Sequence, residues 1–239
     1  VAEPTERWAL VTAGTSGLGA ALTEELVRSG YRVLVHYRSS EATYRKLESE
    51  HGDRVVPARA DLGQSDGRHE VESIVRSRTN RLHVLVNNLG VYPEETIEAI
   101  DDARFERVLA LTCTATFDMI RRMRPLLAAG APSRVVNIGD SGADRIEARR
   151  QATPYHIAKL GVHVLTRTWA QVMAPQATTV NMISPGFLEN SVGEPGEPIP
   201  AGRPGRFDDV AAALEFLLSE RAAYVSGSNV LVNGAWNLG

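Results

Sequence analysis

Ala9-Leu10-Val11-Thr12-Ala13-Gly14-Thr15-Ser16-Gly17-Leu18-Gly19-Ala20 is the stretch that decides the fold. Ala9–Thr12 reads as a short buried strand, and an amphipathic helical run follows over Leu18–Ser29. Strand, glycine turn and helix in direct succession is what a pyrophosphate requires: backbone N–H groups at close range, the positive end of a helix dipole, and no side chains in the way. Gly14, Gly17 and Gly19 open that approach, with Thr15, Ser16 and Leu18 completing the loop. Three glycines can also make a plain tight turn, but their place in the first strand–helix unit favours a dinucleotide.

Outward from this turn, the same alternation continues. Strand-like runs recur at Tyr31–Val35, Val55–Val56, Leu82–Val86, Arg134–Ile138, Thr178–Ile183 and Asn229–Val232. Helix-length stretches lie between or after them at Ala42–His51, Glu70–Arg78, Ala103–Leu127, Tyr155–Met173 and Asp208–Ser219. Nearly continuous apolar strands such as Val84-Leu85-Val86 suit a sheet covered on both faces. The expectation is an α/β, doubly wound parallel sheet of about seven strands with helices on both faces, a Rossmann fold forming one domain over 1–239. Gly193–Gly205 is crowded with glycine and proline and reads as a mobile flap beside the site, over 193–205.

The second strand runs into Val35-His36-Tyr37-Arg38-Ser39-Ser40, where NAD-selective sites carry an acid for the ribose 2′-hydroxyl. Here Tyr37 is followed by a guanidinium and a hydroxyl, Arg38 and Ser39, which suit a 2′-phosphate, so NADP(H) is favoured over NAD(H). Further on, Tyr155 and Lys159 stand four apart in a helical stretch, phenol and ammonium on one face. An ammonium beside a phenol favours phenolate and lowers the tyrosine pKa, which is acid–base machinery. Of 26 basic residues only Lys46 and Lys159 are lysines, so a lysine in this chain invites a reason.

Composition narrows the partners. A formal charge of −3, without long single-sign runs, lacks the footprint of a nucleic-acid binder, and no apolar run approaches a membrane span. A single cysteine, Cys113, precludes an internal disulfide and reads as buried packing. Val1 to Thr12 runs into a strand without a cationic flank or cleavage signature, so a cytoplasmic protein acting on small molecules is expected. His156 and His163 lack a carboxylate or cysteine at ligand spacing, so no metal is expected. Trp169 and Trp236 read as core or interface anchors.

Together these motifs resemble the short-chain dehydrogenase/reductase family over nearly the whole chain. The resemblance adds Asp61-Leu62, Asn87-Asn88-Leu89-Gly90, Ser184-Pro185-Gly186, and a late region from Gly202-Arg203-Pro204-Gly205 through Phe216-Leu217-Leu218-Ser219 to Val225-Ser226-Gly227 and Asn233-Gly234. It implies that Tyr155 protonates the substrate oxygen as hydride arrives from nicotinamide, and that Lys159 holds the nicotinamide ribose and depresses the tyrosine pKa. By the same resemblance Asp61 meets the adenine, Leu62 stands beside it, Asn87 and Gly90 line the adenosine half, and Pro185, Gly186 and Leu188 border the nicotinamide. It also implies a homotetramer or dimer built in part by the late region.

Three positions depart from the family pattern. Three residues after Asn137, where a serine usually bonds the reacting carbonyl, stands Asp140, with Ser141 one residue later and the stretch to Tyr155 about two residues longer than usual. Asp140 is slightly favoured for the role; pteridine reductases, a branch of the family, carry aspartate there and reduce a C=N bond. Ionised beside Tyr155, that carboxylate would raise the phenol. Thr112 replaces an asparagine that supports a water-linked proton relay, and Leu89 replaces an alanine before Gly90. The leading expectation is an NADPH-dependent reductase of a 3-oxoacyl thioester or related ketone. The alternatives are a pteridine or dihydrofolate-type reductase and a weakly catalytic NADP(H)-binding protein.

Overall fold

A computed structural model describes residues 6–191 and 193–238. Among them seven strands, β1 (Arg7–Val11), β2 (Tyr31–Tyr37), β3 (Val55–Arg59), β4 (Val84–Asn87), β5 (Ser133–Ile138), β6 (Thr178–Pro185) and β7 (Asn229–Val232), form one sheet in the order β3-β2-β1-β4-β5-β6-β7. Every pairing is parallel. The sheet is the doubly wound parallel arrangement expected, and the order in which strands are added reverses between β1 and β4, the crevice in which open α/β sheets bind ligands.

Seven α-helices cover both faces: α1 (Gly17–Arg28), α2 (Glu41–His51), α3 (Ser65–Arg78), α4 (Asp102–Leu109), α5 (Ala115–Ala129), α6 (Thr153–Met173) and α7 (Phe207–Leu218). Alternate residues of one strand point to opposite faces, so β1 supplies both layers. Ala9 and Val11 pack with Leu22 and Leu26 of α1 and Val210 and Leu214 of α7. Trp8 and Leu10 pack with Val71 and Val75 of α3, Met119 and Met123 of α5, and Met173 of α6. Both faces are dry, which is why the central strands read as continuous apolar runs.

The helix expected over Ala103–Leu127 is not one regular helix. α4 and α5 are joined by a π-helical segment, Ala110–Thr114. A π turn inserts one extra residue per turn and rotates the side chains beyond it, a perturbation that periodicity cannot reveal because the apolar pattern on either side remains helical. α3 starts at Ser65, before the expected Glu70; Gly67 in its first turn packs against the main chain of Asp61, where a Cβ would stand 2.1 Å from its oxygen. The segment 193–205 is irregular, as its composition implied.

Candidate active site

The strands' C-terminal ends carry the glycine turn after β1, the Asn-Asn turn after β4 and the Asp140 turn after β5. Thr12 Oγ1 accepts from the amides of Asn88 at 2.9 Å and Leu89 at 3.0 Å, while Asn88 Nδ2 donates to Ala13 O at 3.1 Å. The turns after β1 and β4 are thereby stitched together. A Cβ on Gly19 would stand 2.0 Å from Ala13 O, and Gly17 has φ +52°; backbone contact at the first and left-handed geometry at the second exclude ordinary side chains. α1 begins there with Ser16 exposed at its N-cap and no acid in its first turn. The cradle fits a pyrophosphate, with the amides around Ser16 to Gly19 available to hold it. Thr15 is buried.

His36, whose role the sequence did not announce, locks this turn. Its Nδ1 accepts from the Ala13 amide at 3.0 Å, its Nε2 faces Ala60 O at 3.1 Å, and its main-chain oxygen accepts from Gly14 N at 2.9 Å. The first contact assigns Nδ1 as acceptor, so Nε2 carries the proton. Burial drives its pKa down to about 4, against the opposing pull of the Ala60 carbonyl and Asp61.

At the adenosine end, Arg38 and Ser39 are exposed beyond β2. Tyr37 is buried beneath them and stacked on Tyr44 at 5.3 Å, so its ring faces the core. Leu62 is likewise a core residue. Asp61 is held by Arg107 of α4, whose Nη2 lies 2.7 Å from each carboxylate oxygen, and by Gly63 N at 3.0 Å. Burial alone would raise the Asp61 carboxyl, yet these bonds hold it below the ordinary value. Arg107 has no sequence signal: it is one arginine among many in the chain, half-buried on α4.

At the centre, Lys159 is 3% exposed and donates to Ile138 O at 2.6 Å. Its Nζ lies 5.5 Å from the centroid of the Tyr155 ring. Burial lowers its pKa to about 8 against the pull of Asp140. Tyr155 differs from the sequence expectation. Burial, then the Asp140 charge, then Tyr92 and a hydrogen bond with Asp140 push the phenol well above its ordinary value. The expected lowering by Lys159 is outweighed because the phenol is desolvated and faces a carboxylate.

Of the two residues competing for the serine position, Asp140 faces Tyr155, while Ser141 turns away. Ser141 is buried, its amide donates to Pro185 O at 3.0 Å, and its Oγ accepts from Asn237 Nδ2 at 3.5 Å. Tyr92 stands edge-on to Tyr155 at 5.1 Å and to His156 at 6.2 Å, forming an aromatic rim that sequence reading missed because nothing in spacing links residues 92 and 155.

Thr112, fully buried in the π turn, receives Val91 N at 3.4 Å on Oγ1. A Cβ on Gly90 would lie 3.1 Å from Lys159 Nζ and 3.8 Å from Thr112 Cγ2, so Gly90, Lys159 and Thr112 converge. Asn87 donates to Asn137 Oδ1 at 2.8 Å, and Asn137 donates to Thr166 Oγ1 at 2.9 Å, a buried chain behind the site. Gly186 N donates to Val232 O at 3.0 Å, and Leu188 N donates to Ser191 Oγ at 3.0 Å. Pro185 and Leu188 are buried at the end of β6, next to the Asp140 turn. Cys113 is half-buried against Gly161, where a Cβ would stand 2.7 Å from its Sγ, and burial raises its thiol pKa.

Known proteins share this architecture throughout. A family profile described as Enoyl-(Acyl carrier protein) reductase matches residues 12–237. The Rhamnolipids biosynthesis 3-oxoacyl-[acyl-carrier-protein] reductase of Pseudomonas aeruginosa is 32% identical, covering 97% of this chain and 96% of that protein. The Acetoacetyl-CoA reductase of Allochromatium vinosum is 27% identical, covering 95% and 97% respectively. Among solved structures, the Pseudomonas aeruginosa RhlG/NADP active-site complex superposes with a TM-score of 0.86 at 30% identity, covering 96% of this chain and 95% of that one. No helix among the described residues is long and apolar enough to cross a membrane. Sheet order, glycine cradle and similarity along nearly the full length agree: the chain belongs to the short-chain dehydrogenase/reductase family of oxidoreductases.

Proposed function

We propose that this protein is an NADPH-dependent reductase of a small carbonyl substrate, a 3-oxoacyl thioester or related ketone, acting as a single catalytic domain over 1–239 with 193–205 as its substrate flap. One observation carries the reading: a half-buried phenol, Tyr155, beside a buried ammonium, Lys159. NADPH rather than NADH is supported by exposed Arg38 and Ser39 where an acid would otherwise stand, and by the NADP held in the Pseudomonas aeruginosa relative. The thioester is supported by the names of two relatives, a 3-oxoacyl-[acyl-carrier-protein] reductase and an acetoacetyl-CoA reductase.

Bound NADPH supplies the hydride. Tyr155, kept neutral by its raised pKa, donates its proton to the substrate oxygen, so that carbonyl, hydride and proton sum to an alcohol. Lys159, charged below about pH 8, stabilises the phenolate left behind and has donors to spare beyond its bond to Ile138 O, which suit it to a ribose hydroxyl. Asp140 accepts from Gly142 N at 2.9 Å, which fixes it beside the phenol. Thr112 Oγ1 stands where a water could be held behind Lys159. Gly14 through Gly19, Arg38, Ser39, Asp61, Gly90 and the Pro185-Gly186-Leu188 turn form the cofactor-binding surface; Tyr37, Leu62 and the buried Asn87 serve it from behind.

The experiment is NADPH oxidation with a short 3-oxoacyl thioester and with dihydrobiopterin, each with the unmodified protein and Tyr155→Phe. Turnover of the thioester, lost by about 10²-fold or more in Tyr155→Phe without loss of NADPH affinity, is the expected result. Preference for dihydrobiopterin would favour the second reading, a pteridine-type reductase, which the Asp140 carboxylate beside Tyr155 motivates. Tight NADPH binding with neither substrate turned over would favour a weakly catalytic binding protein, to which Thr112 and Asp140 together point.

A homotetramer is the proposed assembly. Phe117 of α5 with Val164 and Val172 of α6, and Phe216 of α7 with Tyr224 and with Leu231 of β7, leave two separate sets of apolar side chains exposed. Light scattering giving a monomer mass would exclude it.

A further inference from the structure

We propose that the segment Asn233–Leu238, through Asn237, positions the substrate side of the pocket. This rests on the reductase reading above for its kinetic arm alone. On the functional reading above, three elements border the site on that side: the Asp140–Gly142 turn, the loop leading to Tyr155, and the segment 193–205. All three are tied to the same six residues.

Asn237 Oδ1 accepts from Arg145 Nη1 at 3.0 Å, and its Nδ2 donates to Ser141 Oγ at 3.5 Å. One amide thus joins the turn carrying Asp140 to the loop beyond it. Ser141 is fixed from behind by its amide bond to Pro185 O, so the pull of Asn237 sets the turn rather than a free hydroxyl. On the other side, Gly234 O accepts from Ala201 N at 3.1 Å, and Trp236 Nε1 donates to Glu197 O at 3.2 Å. The Trp236 ring meets Phe187 edge-on at 6.2 Å.

The clasp is built rather than incidental. Gly234, Ala235 and Asn237 all lie in the left-handed region, at φ +58°, +64° and +59°. Alanine avoids that region, and such geometry persists only where the surroundings over-determine it. Here they do: Asn233 receives Ala235 N on Oδ1 at 3.2 Å, receives Trp236 N on its main-chain oxygen at 2.9 Å, and donates through Nδ2 to Trp236 O. The curl so formed turns Asn237 inward to the Asp140 turn and Trp236 toward 193–205. Asn237 touches neither Tyr155 nor the cradle, so it acts as a positioning residue. It also makes the two loops one unit: displacement of 193–205 is transmitted to Ser141 through six residues of chain.

Asn237→Gly tests this cleanly, since glycine accepts the left-handed backbone while both side-chain bonds are lost. Asn237→Asp keeps the acceptor for Arg145 and loses the donor to Ser141, whose hydroxyl can turn to donate to the carboxylate instead. Hydrogen exchange needs no substrate: amides of 141–152 and 193–201 should exchange about tenfold faster in Asn237→Gly, with β5 and α1 unchanged. With the 3-oxoacyl thioester, kcat/KM should fall about tenfold, chiefly through KM, and the NADPH dissociation constant should stay within about twofold. Asn237→Asp should fall between.

Unchanged exchange in both loops, or faster exchange throughout the protein, overturns the proposal, the latter by showing a merely structural role. If the unmodified protein turns over no thioester, the reductase reading fails while the exchange result still decides the clasp.

Discussion

Lys159 ends its buried path against the main-chain oxygen of Ile138, 2.6 Å from Nζ. No carboxylate pairs with it within 4 Å among the described residues; the nearest charge acting on it is that of Asp140. An ammonium 3% exposed, bonded to one carbonyl, is an expensive arrangement to maintain for stability alone. Its place between Gly90, Thr112 and the Tyr155 ring assigns the cost to chemistry.

Replacing that ammonium should therefore separate stability from activity. Lys159→Met removes a desolvated charge and fills the same space, and should stabilise the fold by on the order of 1 kcal/mol, less whatever the lost bond to Ile138 O contributes. Turnover should fall by at least about 10²-fold. Thermal melts and steady-state rates on the same preparation check both. A variant both less stable and active would remove Lys159 from the proton path.

Asp140 raises both Tyr155 and Lys159, so its removal acts on both in one direction. In Asp140→Ser the phenol and the ammonium should each lose their protons at lower pH. Activity in the reducing direction needs both protonated, so the alkaline limb of the kcat/KM profile should move down by about half a unit or more. An alkaline limb unmoved, or moved upward, would show that the carboxylate does not act on this pair.

The fold was legible because α/β order is written in short buried strands and the glycine turn, both local signals. The seven strands begin and end near where periodicity put them. What escaped were relationships with no local signature. Arg107 reaches Asp61 across 46 residues, and Asn237 reaches Ser141 across 96. The π turn at Ala110–Thr114 hid inside an unbroken helical pattern. Tyr155 and Lys159 were readable at four-residue spacing, and so was the upward push of an ionised Asp140 against the pull of the ammonium; what was not readable is that burial comes first and decides the contest upward. Tyr37 was legible as a neighbour of Arg38 and not as the buried partner of Tyr44.

His36 makes the glycine cradle acid-sensitive. Its folded pKa of about 4 lies below the ordinary 6.5, so under pH 6.5 the unfolded chain takes up a proton that the folded chain refuses. Stability from this group is fully present above pH 6.5 and declines as pH falls toward 4, by about 3 kcal/mol in full. His83 and His156 are also lowered by burial and add to the same limb. His36→Gln should be less stable at neutral pH, having disturbed the bonds to Ala13 and Ala60, yet lose less stability between pH 7 and 5. Urea unfolding at three pH values gives the slope, and an unaltered slope would discount His36 as its source.

Cofactor choice turns on Arg38. It stands exposed past β2, where its main-chain oxygen accepts from Arg59 Nε at 3.2 Å, while Arg59 Nη1 lies 3.7 Å from Glu41 Oε2. An exposed guanidinium at this rim suits a 2′-phosphate and repels nothing on NADH, so Arg38 should govern affinity for NADPH far more than for NADH. Arg38→Ala should weaken NADPH by about 10- to 100-fold, the range for a lost hydrogen bond to a charged group, and leave NADH within about twofold. Arg38→Asp should go further and reverse the preference, since a carboxylate there repels the phosphate and can accept from a free 2′-hydroxyl. Arg59 limits that gain, because it can pair with the new carboxylate and turn it from the ribose; Arg38→Asp with Arg59→Ala should therefore bind NADH better than Arg38→Asp alone. Fluorescence titration with both cofactors decides it, and equal losses for NADPH and NADH in Arg38→Ala would mean that Arg38 meets the shared adenosine rather than the phosphate.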